Sequence, residues 1–134
     1  MSTDVCFLVV DDNEADRFLN THLLKKIGYA SESIAEAADG AQALEILQHR
    51  WSGKRCVVLL DINMPVMDGF EFLQQWENSE HPNIVRVVMV TSSQDARDRS
   101  RAAEHGCVMG FLTKPLERAS FSSFLEDSLS WDKD

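Results

Sequence analysis

The sequence predicts an α/β fold built on a parallel sheet covered on both faces. Two observations carry this. Short apolar runs alternate along the chain with stretches of helical periodicity, the pattern of successive strand–helix units. The run Val57-Val58-Leu59-Leu60 is continuously apolar and half β-branched, as expected of a strand buried on both sides.

The elements follow in order. Phe7-Leu8-Val9-Val10 reads as the first strand and is followed at once by Asp11 and Asp12. Phe18, Leu19, Leu23, Leu24 and Ile27 give a helical stripe that stops at Gly28, a favoured residue just past a helix end. A weak second strand spans about Ser33 to Ala37, before the turn Asp39-Gly40. Ala43, Leu44, Ile46 and Leu47 mark the second helix. The third strand, 57–60, ends on Asp61 and runs into a turn carrying Pro65 and Gly69. Phe70, Phe72, Leu73 and Trp76 mark the third helix, with Asp68 as its N-cap. Val85 to Val90 forms the fourth strand, followed by Thr91, Ser92 and Ser93. The fourth helix runs from about Gln94 to His105. Val108 to Leu112 forms the fifth strand, followed by Thr113, Lys114 and Pro115, and the fifth helix carries Phe121, Phe124, Leu125 and Leu129.

In open α/β sheets, ligands bind beside the carboxyl ends of the strands. If these strands are parallel, one rim gathers Asp11, Asp12, Asp61, Thr91 and Lys114. Two carboxylates about 4 Å apart repel by roughly 4 kcal/mol at an effective dielectric near 20. Three in one pocket therefore call for a cation or a shared proton. Mg²⁺ suits such a site, since it binds through one or two carboxylates, water and a phosphate. A hydroxyl and an ammonium are what a phosphoryl group needs. The rim is suited to phosphoryl transfer onto a carboxylate, and Asp61, at the end of the central apolar strand, is the natural acceptor.

Taken together, Asp11-Asp12, Asp61 with Met64-Pro65-Val66-Met67-Asp68-Gly69, Thr91, and Phe111 with Lys114-Pro115 identify a resemblance. The chain resembles the CheY-like receiver domain of two-component response regulators, from about Val5 to Trp131. The resemblance implies a doubly wound (βα)5, flavodoxin-like fold with five parallel strands in the order 2-1-3-4-5 and five flanking helices. It implies that Asp61 accepts a phosphoryl group from a sensor histidine kinase or a histidine phosphotransfer protein. Asp12 and Asp61 would ligate Mg²⁺, or Mn²⁺ in its place, with the backbone carbonyl of Asn63 as a further ligand and Asp11 acting mostly through water. Thr91 and Lys114 would bind phosphoryl oxygens, and Thr91 with Phe111 would form the switch. The Lys114–Pro115 peptide would be cis, a form accessible at modest cost only before proline. Asn63 and Ser93 would flank the path of the hydrolytic water, giving turnover in seconds to minutes. Phe111 could instead be ordinary core.

Composition fits this reading. The 134 residues suit one domain, and 44% hydrophobic with 26% charged content is ordinary for a globular protein. A net charge of −9 argues against a nucleic-acid surface. No membrane span or signal-peptide pattern is evident, so the cytoplasm is the expected location. Cys6, Cys56 and Cys107 match no zinc pattern and read as buried thiols, and the four histidines are scattered singly. The fourth helix is unusually polar. It reads as a solvated helix supported by pairs such as Asp95–Arg99, or, by the resemblance, as part of an α4-β5-α5 face that reports phosphorylation to a downstream protein. The chain ends soon after the fifth helix, so a receiver unit over 5–131 with no output domain is expected: a diffusible regulator or a phosphorelay intermediate rather than an enzyme.

Two other classes share parts of this kit. A haloacid-dehalogenase-type phosphatase places a second Asp two residues past its nucleophile, where this chain has Asn63. A flavodoxin-like cofactor binder needs a Ser/Thr/Gly-rich phosphate loop after the first strand, where Asp11-Asp12-Asn13-Glu14 would repel phosphate. A phosphorylation-independent pseudo-receiver is disfavoured because every expected site residue is present.

Overall fold

The computed structural model describes residues 5–51, 53–79, 82–92 and 95–129. Five strands, β1 (Cys6–Val10), β2 (Ile34–Ala37), β3 (Cys56–Leu60), β4 (Val85–Thr91) and β5 (Val108–Thr113), form one parallel sheet in the order β2-β1-β3-β4-β5. Five helices connect or follow them: α1 (Glu14–Ile27), α2 (Gly40–Glu45), α3 (Gly69–Glu77), α4 (Ala96–Ala103) and α5 (Arg118–Ser128). A π-helical turn, Ile46–Arg50, continues α2.

Strand alternation sorts the core into two layers, because successive strand side chains point to opposite faces. Leu8 and Val10 of β1, Cys56, Val58 and Leu60 of β3, and Val87 and Met89 of β4 face Ala43 of α2 and Leu47 of the π-helical turn, Phe72, Leu73 and Trp76 of α3, and Ala102 of α4. Phe7 and Val9, Val57 and Leu59, and Val88 and Val90 face Leu24 of α1 and Phe121 and Leu125 of α5. β1 and β3 are buried along their whole length, which explains their unbroken apolar sequence. Truncating the fully buried Phe72 to Ala would cost about 3–5 kcal/mol. Between β4 and β5 the register slips, with Val87 opposite Val108 but Val88 opposite Gly110.

Helix termini follow their local chemistry. Asn13 caps α1 through Asp16 N, Asp39 caps α2 through Gln42 N, and Asp68 and Glu71 form a reciprocal capping box on α3. Two readings of the sequence are corrected. Phe18 and Leu19 lie outward on α1, 64% and 57% exposed, and its buried face holds Asn20, Thr21 and Leu24 instead. α4 is shorter than its polar stretch suggested: Asp95 is the N-cap, bonded to Arg97 N, and Gln94 lies outside the described residues. The Asp95 carboxylate also pairs with the Arg97 guanidinium at 2.9 Å, while Arg99 lies over the ring of Phe111, 4.6 Å from its centroid.

Cys6, Cys56 and Cys107 are free thiols. Burial pushes the Cys56 thiol well above its ordinary range, and Cys107, half-buried beside Glu77, is pushed up to about 12. None of them is primed as a thiolate. Among the described residues no helix is long and apolar enough to cross a membrane.

Candidate functional site

The parallel ladder continues one residue past the strands and thereby places the rim. Asp11 N donates to Ala37 O, Asp61 N to Val10 O, and Lys114 N to Thr91 O, each at 3.0 Å. The first residues after β1, β3 and β5 are thus fixed by their backbones against the ends of β2, β1 and β4 respectively. Asp61, at 7% exposure, and Thr91, at 0%, sit inside this rim; Asp11 is buried and Asp12 exposed.

One oxygen from each of Asp11, Asp12 and Asp61 lies within 4.8 Å of the other two. The carboxylates are oriented from behind by backbone amides: Asn13 N donates to Asp11 Oδ1 at 2.9 Å, and Ile62 N to Asp61 Oδ1 at 2.8 Å. Lys114 reaches in from the far strand. Its Nζ stands 2.6 Å from Asp11 Oδ2, 2.8 Å from Asp16 Oδ2 and 3.5 Å from Asp61 Oδ2. The Lys114–Pro115 peptide is cis.

Burial, and then the charge of Asp11, push the Asp61 carboxyl above its usual range. The Lys114 ammonium, the Ile62 N–H and the Thr91 hydroxyl pull it back down in part. Burial alone would depress Lys114, but its bonds to Asp11 and Asp16 and the charges of Asp61 and Asp11 hold it above the ordinary lysine value. One ammonium therefore serves three carboxylates, Asp11, Asp16 and Asp61, with the carboxylate of Asp12 beside them. The set is all hard oxygen and short of positive charge, which fits a divalent cation of the Mg²⁺ kind.

Phe111 is half-buried on β5, packed against the α2–α4 side of the core. Asn63 is exposed on the loop after β3, and Ser93 lies outside the described residues. That loop turns sharply. Met67 N donates to Pro65 O at 2.7 Å across Val66, whose φ is 67°, and Gly69 N returns to Ile62 O at 2.9 Å.

Residues 7–126 match the family described as the response regulator receiver domain. The chain belongs to that family. It is similar to the probable methanogenesis regulatory protein FilR2 of Methanothrix harundinacea, 32% identical over 94% of this chain and 84% of that protein. It is also similar to the sensor histidine kinase CheAY of Helicobacter pylori, 28% identical over 98% of this chain, and spans only 16% of that protein's length. Among solved structures, the Vibrio cholerae chemotaxis protein CheY4 superimposes with a TM-score of 0.77 at 28% identity, covering 93% of this chain and 98% of that one. The chain is thus a receiver domain of two-component signal transduction, a family of signalling phosphoacceptors rather than enzymes in the ordinary sense, whose members bind Mg²⁺ through an acidic pocket.

Sequence reasoning passed over two features of the site. Asp16 contacts Lys114 at 2.8 Å, between Asp11 at 2.6 Å and Asp61 at 3.5 Å; its signal was its place in the first turn of α1, four residues past Asp12. Arg17, one residue on, donates to the Asp11 carbonyl at 2.7 Å and pairs with Glu36 at 3.2 Å, tying α1 to β2.

Proposed function

We propose that this receiver takes a phosphoryl group onto Asp61 from a phosphohistidine of a sensor kinase or phosphotransfer protein, in a Mg²⁺-dependent reaction, and that the product changes its binding to a downstream protein. The supporting observation is the setting of Asp61: a buried carboxylate at the end of a central strand, beside two further carboxylates, a hydroxyl and an ammonium.

In this reading an oxygen of Asp61 attacks phosphorus while the P–N bond breaks. The electron pair leaves on the imidazole nitrogen, which then takes a proton. Asp12, Asp61 and the Asn63 carbonyl would hold Mg²⁺, with Asp11 acting through water and Mn²⁺ able to substitute. The ion supplies charge neutralisation to the phosphoryl oxygens. Lys114 exchanges carboxylate partners for a phosphoryl oxygen, and the Thr91 hydroxyl, now directed at Asp61, donates to another. Phe111 then follows Thr91, and the α4-β5-α5 face carries the change outward. Asn63 and Ser93 flank the hydrolytic water. The functional unit is proposed to extend over 5–131, of which residues 52, 80, 81, 93, 94, 130 and 131 lie outside the described residues.

Incubation with Mg²⁺ and acetyl phosphate, followed by intact mass, tests this. The wild type should gain one phosphoryl group and Asp61→Asn none. Full labelling of Asp61→Asn would move the acceptor, and no labelling of either protein would favour the pseudo-receiver.

A further inference from the structure

The Lys114 ammonium occupies ground that a cation at the rim needs. At 2.6 Å from Asp11 Oδ2 and 3.5 Å from Asp61 Oδ2, it already neutralises two of the three carboxylates that gather there. A divalent ion and an ammonium repel one another across such a distance. Binding the ion therefore requires that Lys114 give up Asp11 without losing its own charge compensation. The side chain that offers this is Asp16. It is half-buried on the first turn of α1, it lies outside the Asp11–Asp12–Asp61 cluster, and its Oδ2 stands 2.8 Å from Nζ.

We infer that Asp16 is a positioning residue, a second berth onto which Lys114 withdraws when Mg²⁺ enters the rim. With Asp16 present, the ammonium moves within a bond it already makes. With Asp16 neutral, it stays on Asp11 and competes with the ion. The carboxylate of Asp16 also attracts the ion directly, so loss of affinity in a single variant would not identify the route. Coupling to Lys114 does.

This inference rests on the proposed Mg²⁺ role of the rim. The test is Mg²⁺ titration by calorimetry on wild type, Asp16→Asn, Lys114→Met and the double variant. Asp16→Asn should raise the Mg²⁺ Kd roughly three- to tenfold in the wild-type background, the scale of one ordinary hydrogen bond. In the Lys114→Met background the same change should raise it less than about twofold. Equal factors in both backgrounds would overturn the role of Asp16 and leave the functional reading intact. A wild type that binds no Mg²⁺ would overturn that reading and this inference with it. If Lys114→Met does not fold, Lys114→Gln takes its place throughout. If Asp16→Asn does not fold, the ¹³C shift of the Asp16 carboxylate decides. It should move on Mg²⁺ addition in wild type and stay still in Lys114→Met. A shift of the same size in both would count against the berth.

Discussion

A methyl group on the Cα of Gly69 would stand 2.6 Å from the carbonyl oxygen of Asp61 and 3.0 Å from the Cα of Ile62. Helix α3 therefore starts against the backbone of the proposed phosphoacceptor, and only a residue without a Cβ lets it do so. Both neighbours are main chain and cannot swing aside. Gly69→Ala should lose about 1–3 kcal/mol of stability, the usual range for overpacking. Gly106→Ala, which meets nothing within 4 Å, should stay within about 0.5 kcal/mol of wild type. Urea unfolding of both variants gives the comparison, and similar midpoints would refute it.

Val66 carries backbone strain. A β-branched residue at φ 67° is a genuine outlier, and its side chain, 82% exposed, recovers little by burial. Val66→Gly or Val66→Asn should stabilise the fold by about 1 kcal/mol, the lower end of what such backbone strain costs. A lower unfolding midpoint in both variants would show that Val66 makes a compensating contact.

Helix α4 buries only Ala102 among its own residues, and cations on aromatic rings help to hold it. Arg101 lies over Phe70 of α3 at 4.0 Å, and Arg99 over Phe111 of β5. Arg101→Met keeps an apolar stem and removes the charge, and should cost about 0.5–1 kcal/mol. Hydrogen exchange in α4 should quicken by a factor of a few relative to α3. Unchanged exchange would mean that the ring contact holds nothing.

The raised carboxyl of Asp61 sets a pH dependence with a definite sign. A group whose pKa is higher folded than unfolded favours the fold while protonated, and that contribution is lost as pH rises through its folded value. At pH 7 without divalent ions, Asp61→Asn should therefore be more stable than wild type. The gap should close as pH falls below the carboxylate range, where both side chains are neutral. Mg²⁺ should narrow or reverse the gap at neutral pH, since ten times its Kd stabilises wild type by about 1.4 kcal/mol. Thermal melts from pH 2.5 to 8, with and without Mg²⁺, check all three points.

Exposed on the loop after β3, Asn63 should tune how long the phosphoryl group lasts. Asn63→Arg should slow phosphate release severalfold and leave the stoichiometry of labelling by acetyl phosphate unchanged. Superimposable decay curves would assign hydrolysis to the shared core of Asp61, Thr91 and Lys114.

The sheet and its rim were legible because strands buried on both faces leave an unbroken apolar signature, as β1 and β3 do, and because the residue after each such strand is placed by the ladder itself. Only the first part of helix α1 was misread, and for a physical reason. Leu23, Leu24 and Ile27 do pack inward, but one turn earlier Phe18 and Leu19 are exposed and the inward places go to Asn20 and Thr21, whose Oγ1 donates to the Phe18 carbonyl at 3.0 Å. Asp16 was missed because its partner is 98 residues away. No local pattern announces a contact that only the closed sheet creates.

The register slip between β4 and β5 acts as a frame shift in the fifth strand. Upstream of it, Val108 looks toward α4 and Met109 toward α5; Gly110 then faces α5 as well, where an added Cβ would collide with the Phe124 ring. From there the alternation resumes one step out of phase, so Phe111 looks toward α4 and Leu112 toward α5. Deleting Met109 would remove the extra residue and restore strict alternation, with Gly110 still opposite Val88 and Phe111 still toward α4, whereas inserting one residue after Gly110 would turn the ring toward α5 and bring Leu112 beneath Arg99. In this strand, residue count is itself a determinant of which surface the ring can address, so a single-codon insertion after Gly110 should be more damaging than deletion of Met109.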